Sequence, residues 1–257
     1  MSDIQLNNRF NEIFENTPIL GMIHLAEKTK LERLERALEE VVIYEEEGVD
    51  GVIVEDYHGD IFDVKRLLFI LDELKPGLKV GVNILDREDF NDDISFDISK
   101  NHDVDFVQLD IVGGETLARD LDFEAYKKGK ELCPDILVLG GVWFKYKPPA
   151  PNSVLQKDIK QGKERAEVIV TTGKGTGSET PIEKLVTFKE IMGKHPLFVG
   201  AGLDKDNVVE QLKVADGGIV GSCFKPNKDT TKKVDRELVR KFMEKVNEVR
   251  DYKKSLN

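Results

Sequence analysis

Short apolar runs alternate along the whole chain with longer amphipathic, charged runs. The short runs are Ile19–Leu25, Gly51–Glu55, Lys79–Leu85, Phe106–Ile111, Ile136–Val142, Val168–Thr172, Leu197–Gly200 and Gly218–Gly221. Several are almost wholly apolar, as in Val52-Ile53-Val54 and Val168-Ile169-Val170. A strand apolar on both sides is one buried on both faces, the habit of parallel sheets. Between the runs, Leu31, Leu34, Leu38, Val41 and Val42 recur at near-helical spacing and predict a helix over Leu31–Glu47. Further helices are predicted over Ile61–Leu74, Asp122–Leu132, Pro181–Met192, Lys205–Lys213 and Asp235–Val249. Asp60, Thr180 before Pro181, and Asp235 read as helix starts.

Eight βα units in 257 residues predict a single α/β domain over residues 1–257, a closed (β/α)8 TIM barrel. A doubly wound open sheet is the alternative. Two connections look irregular. Arg87–Asp105 is polar and weakly periodic, and Lys145–Ser153 carries Pro148, Pro149 and Pro151, which calls for an extended loop. In residues 1–16, Leu6, Phe10, Ile13 and Phe14 share one helical face. That helix is expected to plug the barrel floor or to join a subunit contact, which leaves a homo-oligomer open.

Charge and cysteine count narrow the field. The net charge is −11 with no basic stripe, which argues against nucleic acid as a partner. Cys133 and Cys223 stand far apart with no CxxC or Cys/His spacing, so neither a disulfide framework nor zinc is indicated. Met1–Asn16 lacks the basic start and apolar run of a signal peptide, and no apolar stretch approaches the about 18 residues of a transmembrane segment. A cytoplasmic protein is expected.

The last three strands end in glycine-rich turns: Thr171-Thr172-Gly173-Lys174-Gly175-Thr176-Gly177, Gly200-Ala201-Gly202 and Gly221-Ser222. Glycine lets the backbone approach a ligand and present bare N–H groups, and barrels commonly hold a phosphate at the loops after strands seven and eight. Thr172, Gly173, Lys174, Gly175, Gly200, Gly202, Gly221 and Ser222 are therefore the candidate phosphate ligands. GxxxxGK[ST] is not matched, and Ser178 stands where GxGxxG needs its last glycine, so a nucleoside triphosphate, NAD or flavin site is not indicated.

Taken together, these pieces resemble the BtpA/SgcQ family of barrel proteins over nearly the full length. The matching pieces are Gly21-Met22-Ile23-His24-Leu25, Val54-Glu55-Asp56 with Gly59-Asp60, Gly81-Val82-Asn83-Ile84-Leu85, Thr172 to Gly177, Val199-Gly200-Ala201-Gly202 and Ala215 to Gly221. The resemblance implies a barrel fold and little chemistry. One branch is linked to photosystem I biogenesis, another to a sugar-metabolism gene cluster. The chain departs from the family pattern at Ala26 to Thr29, at Gln108 and Asp110, and at Gly141, Trp143 and Tyr146, which points to a different substrate.

Barrel chemistry sits at the carboxyl ends of the strands. His24, Glu55, Asn83, Asp110 and Lys145 lie at five of those ends and are the candidate catalytic residues. His24 is a base or phosphate ligand, Glu55 a proton carrier, Asn83 a group that orients a hydroxyl, and Lys145 a phosphate counter-charge, enolate stabiliser or Schiff-base lysine. Glu55 and Asp110 could share Mg²⁺ or flank a substrate. Trp143 and Tyr146 could form an aromatic wall, Asp60 reads as a helix cap, and Cys223 as a structural thiol. The expected function is an isomerase, lyase or glycosyl-bond-cleaving enzyme acting on a phosphorylated sugar or nucleoside-like metabolite. A non-catalytic assembly factor and a phosphometabolite sensor are the alternatives.

Overall fold

A computed structural model describes residues 9–85, 94–118 and 120–256. The strands are β1 (Ile19–Ile23), β2 (Gly51–Glu55), β3 (Lys79–Asn83), β4 (Phe106–Gly113), β5 (Leu137–Val142), β6 (Val168–Thr171), β7 (Leu197–Val199) and β8 (Gly217–Val220). Each is followed by a helix: α1 (Lys30–Glu46), α2 (Ile61–Leu74), α3 (Ile94–Lys100), α4 (Phe123–Leu132), α5 (Leu155–Lys163), α6 (Ile182–Met192), α7 (Val208–Val214) and α8 (Arg236–Ser255). All neighbouring strands pair in parallel, and β1 pairs with β8 through Ile19 opposite Gly218, so the sheet closes. This is the TIM barrel, and the open doubly wound alternative is excluded by that closing ladder.

Local expectations fare unevenly. Asp60 caps α2 through the N–H groups of Phe62 and Asp63, and Asp235 caps α8 through those of Glu237 and Leu238. Thr180 does not cap α6. That helix begins at Ile182 without a side-chain cap, and the Thr180 hydroxyl donates to the carbonyl of Ala201. The polar stretch Arg87–Asp105 contains α3, short but anchored by buried Phe96 and Ile98. Its first residues, 87–93, lie outside the described ones, as does Leu6. After the Pro-rich loop comes α5, which shows little periodicity in sequence because Ile159 is its one fully buried apolar side chain.

Strand alternation divides the core in two. Leu20, Met22, Ile53, Phe106, Leu137, Leu139, Val168, Val170, Phe198 and Ile219 form an inner cluster inside the barrel. Their chain neighbours, such as Ile19, Val52, Val107, Val138 and Ile169, pack outward with the helices. The lower lumen is filled by aromatic rings. Phe14 lies 5.5 Å from Phe106 between centroids, and Phe10 lies 5.9 Å from Phe198, so the N-terminal segment stoppers the floor. Glycines make room for these rings. A Cβ on Gly81 would stand 2.0 Å from the Phe106 ring, and one on Gly217 would stand 2.4 Å from that of Phe198.

The same period of two, continued upward, turns His24, Glu55, Asn83, Gln108 and Asp110 to the inside, at the carboxyl ends of β1 to β4. Asp56, one residue past Glu55, turns away and accepts the N–H of Leu85 at 2.9 Å. Among the described residues no helix is long and apolar enough to cross a membrane.

Candidate functional site

A narrow cleft opens at the carboxyl end of the barrel. Its walls include the side chains of His24, Glu55, Gln108 and Lys145 together with Gly200, Gly202, Gly221 and Ser222. Two groups of candidates that are distant in sequence thus face one space.

The side-chain half is a connected chain of buried polar groups. The Asn83 amide donates to Glu55 Oε1 at 3.1 Å and to Asp110 Oδ1 at 3.4 Å, and the Gln108 amide donates to Asp110 Oδ1 at 3.3 Å. His24 Nε2 lies 3.7 Å from Glu55 Oε2. On the other edge of the imidazole, Lys225 Nζ lies 3.1 Å from His24 Nδ1. Lys225 is 1% exposed, and burial pushes its ammonium down to about 8, still largely protonated at neutral pH. An ammonium only donates, so Nδ1 accepts and the hydrogen of the neutral ring sits on Nε2, toward Glu55. Burial first, and the nearby cations Lys225 and Lys145 next, hold His24 well below the usual histidine range, which keeps the ring neutral.

Glu55 is 3% exposed. Burial pushes its carboxyl up to about 7, Asp110 and Asp56 push the same way, and Lys145 and the Asn83 amide oppose them. A carboxyl half-ionised near neutral pH can both take and give a proton. Lys145 stands at the mouth with its ammonium 5.5 Å over the Phe144 ring. For Mg²⁺ the fit is poor. The Asn83 amide lies between the two carboxylates and donates to both, so an ion shared by them would displace those hydrogen bonds. Among the described residues no three His, Cys, Asp or Glu side chains converge on one point.

The glycine half is built by close approach. Gly202 has φ +76°, and a Cβ there would stand 2.2 Å from the Ser178 carbonyl. A Cβ on Gly221 would stand 3.0 Å from His24 Cε1, so this glycine lets the backbone lie against the imidazole. The Gly200 N–H is engaged by the carbonyl of Thr171. After β8 come two 3-10 turns, Ser222–Phe224 and Pro226–Lys228, and Ser222 and Cys223 of the first line the cavity.

The loop after β6 is used differently from the sequence expectation. Thr172, Gly173, Lys174 and Gly175 do not line the cavity, whereas Thr176 and Gly177 do. Thr172 is buried and its carbonyl accepts from Lys184, Gly173 packs against the Glu179 carbonyl, and Lys174 is exposed to solvent. The Tyr146 hydroxyl accepts the N–H of Thr176 at 3.0 Å and so pins this loop. Trp143 forms no aromatic wall. Its indole N–H donates to Asp158 at 2.9 Å, and its ring meets Phe188 edge-on. Gly141 is where β5 presses on β4, because a Cβ there would stand 2.0 Å from the Asp110 carbonyl. Cys223 lines the cavity with its thiol pushed up to about 11 by burial, a protonated group at neutral pH.

Sequence reasoning passed over three residues. Lys225 sits between Phe224 and Pro226, where a lysine beside a buried phenylalanine was the one hint. Tyr57 lines the cavity with its ring 5.1 Å from that of His24. Lys184, next to apolar Leu185, donates to the carbonyls of Trp143 and Thr172, both at 2.7 Å, and ties the loops after β5 and β6 together. Burial holds it down to about 8.

The BtpA family profile matches residues 15–248. The chain belongs to the BtpA family. Among its relatives, an uncharacterized protein of Thermococcus kodakarensis is 28% identical and covers 92% of this chain and 98% of its own length. The photosystem I biogenesis protein BtpA of Synechocystis is 26% identical, over 91% of this chain and 90% of its own. Solved barrels align throughout this BtpA-family chain at low identity. Phosphoribosyl anthranilate isomerase of Thermus thermophilus superposes with a TM-score of 0.61 at 13% identity, over 91% of this chain and 100% of its own. Orotidine 5'-phosphate decarboxylase of Pyrococcus horikoshii gives 0.60 at 14%, over 89% of this chain and 99% of its own. At such identities the likeness shows the fold.

Proposed function

We propose that this protein is an enzyme that binds a small phosphorylated metabolite, a sugar or nucleoside-like phosphate, and moves a proton at its other end. The observation that carries the reading is the single cavity lined both by Gly200, Gly202, Gly221 and Ser222 and by His24, Glu55 and Lys145. The glycine turns after β7 and β8 take the phosphate through peptide N–H groups other than that of Gly200, which Thr171 engages, and through the Ser222 hydroxyl, and Lys145 supplies the opposite charge. Lys174, solvent-exposed in this structure, would need to swing inward to share that task. Glu55 is the proton carrier, because its raised pKa leaves both protonation states populated near neutral pH. Neutral His24 donates from Nε2 to an oxygen that gains charge in the reaction, its tautomer set by Lys225. Asn83 orients Glu55 and Asp110. The superposable barrels include two whose names carry a phosphorylated compound, which agrees with this reading. No step is assigned to a metal, because Asn83 occupies the place between the carboxylates.

A thermal-shift panel of sugar phosphates, nucleoside monophosphates and their unphosphorylated parents tests the reading. A ligand at a hundredfold excess over its Kd adds about 2.7 kcal/mol of stability, a readable rise in melting temperature. Phosphorylated members should produce it and the parents should not. A panel in which every phosphorylated compound leaves the melting temperature unchanged ends the proposal.

The kinship to the Synechocystis biogenesis protein supports a second reading, a non-catalytic assembly factor or a metabolite sensor. Once a ligand is found, Glu55→Gln separates the two. Turnover that is lost while the thermal shift remains marks an enzyme. A shift with no turnover in the native chain marks a sensor.

A further inference from the structure

The inner end of the cavity has an unusual balance of hydrogen-bonding groups. Glu55 and Gln108 line it, and Asp110 stands beside them through its bonds to Asn83 and Gln108. Three of the four amide hydrogens in this cluster are engaged: Asn83 donates one to each carboxylate, and Gln108 donates one to Asp110. What is left over is mostly acceptors. The Gln108 carbonyl oxygen, on a side chain 3% exposed, has no donor among the described residues. A buried amide oxygen without a donor is disfavoured, so a partner is expected from whatever fills the cavity. Among the described residues the cation that lines the cavity is Lys145, whose charge also reaches Glu55. His24 is held neutral, and Lys225 is engaged by His24 Nδ1 and by the Thr230 carbonyl.

We infer that the ligand presents hydrogen-bond donors, hydroxyl or amino groups and not a second anion, to the Glu55–Gln108–Asp110 end of the cavity. A carboxylate placed there would meet the Glu55 and Asp110 carboxylates and would leave the Gln108 oxygen without a donor. A hydroxyl or amine satisfies the Gln108 oxygen and the free lone pairs of both carboxylates. The inference rests on the phosphate reading for the outer end alone. It makes the ligand bipolar, anionic at the glycine turns and donor-rich within, as in a polyol or amino-sugar phosphate and unlike a phosphorylated sugar acid.

The test uses matched pairs that differ at one terminal carbon, titrated calorimetrically into the full chain at about pH 8, above the Glu55 midpoint. Erythritol 4-phosphate ends in a hydroxymethyl group where 4-phosphoerythronate ends in a carboxylate. Erythritol and erythronate are the phosphate-free pair, and inorganic phosphate reports on the outer end. Erythritol 4-phosphate should bind at least about tenfold more tightly than 4-phosphoerythronate. Gln108→Met should shrink that ratio several-fold while leaving the affinity for inorganic phosphate unchanged. Asp110→Asn, an isosteric change that keeps the packing should the first variant fail to fold, should shrink it by relieving the carboxylate. A ratio of one or less overturns the inference, as does a ratio that neither variant moves. If no phosphate compound binds but erythritol outcompetes erythronate, the phosphate reading falls and this inference stands. If none of the five compounds binds, both fall.

Discussion

The lower and upper halves of the barrel lumen are made by the same strands and the same alternation, yet they are opposites. On β4, Phe106 points into the lower half and Gln108 and Asp110 into the upper. On β2, Ile53 is followed two residues on by Glu55, and on β1 Met22 is followed by His24. Below, rings fill spaces left by Gly81 and Gly217. Above, buried polar groups hold one another and frame a cavity. The lower half contributes hydrophobic stability. The upper half lowers stability by keeping ionisable groups away from water, and in return it offers poised protons. A closed parallel barrel can carry both because its floor and its mouth lie several residues apart along every strand.

Three substitutions probe that contrast. The largest effect is expected from Phe106→Ala, which empties the space between Phe14 and the lower strands and should lose about 3–5 kcal/mol in denaturant unfolding. A loss below about 1 kcal/mol would mean that the floor is not a packed layer. Next comes Glu55→Gln. The folded chain holds the Glu55 proton more tightly than the unfolded chain does, with a pKa raised from 4.5 to about 7. Its contribution is therefore most favourable below about 4.5 and is lost as pH rises through about 7, on the order of 3 kcal/mol in all. Urea midpoints at acid and alkaline pH should show the glutamine variant more stable than the native chain above neutrality, with a flatter pH slope. Equal slopes would place Glu55 in water. The smallest effect is expected from Asp60→Ala, outside both halves. Loss of the α2 cap should cost about 1 kcal/mol, a fall of roughly 2–4 °C in melting temperature, with no change in ligand binding.

How far this contrast was legible in the sequence varies from residue to residue. The eight strands were plain because runs such as Val52-Ile53-Val54 are apolar on both sides, which few other elements require. α3 and α5 were not, because a short helix over a barrel strand needs only one or two apolar anchors. The inward facing of Gln108 and Asp110 was readable in principle, since Val107, Leu109 and Ile111 between them are all apolar. The glycine loop after β6 was recognised, but which half of it faces the cavity depends on Tyr146, whose hydroxyl fixes Thr176 from a different loop. The partnership of Lys225 with His24 joins positions 201 residues apart, and no local pattern encodes it.

Arg36 of α1 is buried at 4% exposure. Its guanidinium donates to Glu40, to the carbonyl of Ala26 after β1, and to the carbonyls of Thr231 and Lys232 after β8. It is a rivet through the seam where the first and last units meet. The strap it fastens, residues 225–234, is the one that carries the ammonium against the imidazole. A disturbance on the outer surface near α1 would thus reach the barrel mouth as a rotated ring, although nothing in the mouth itself had been altered.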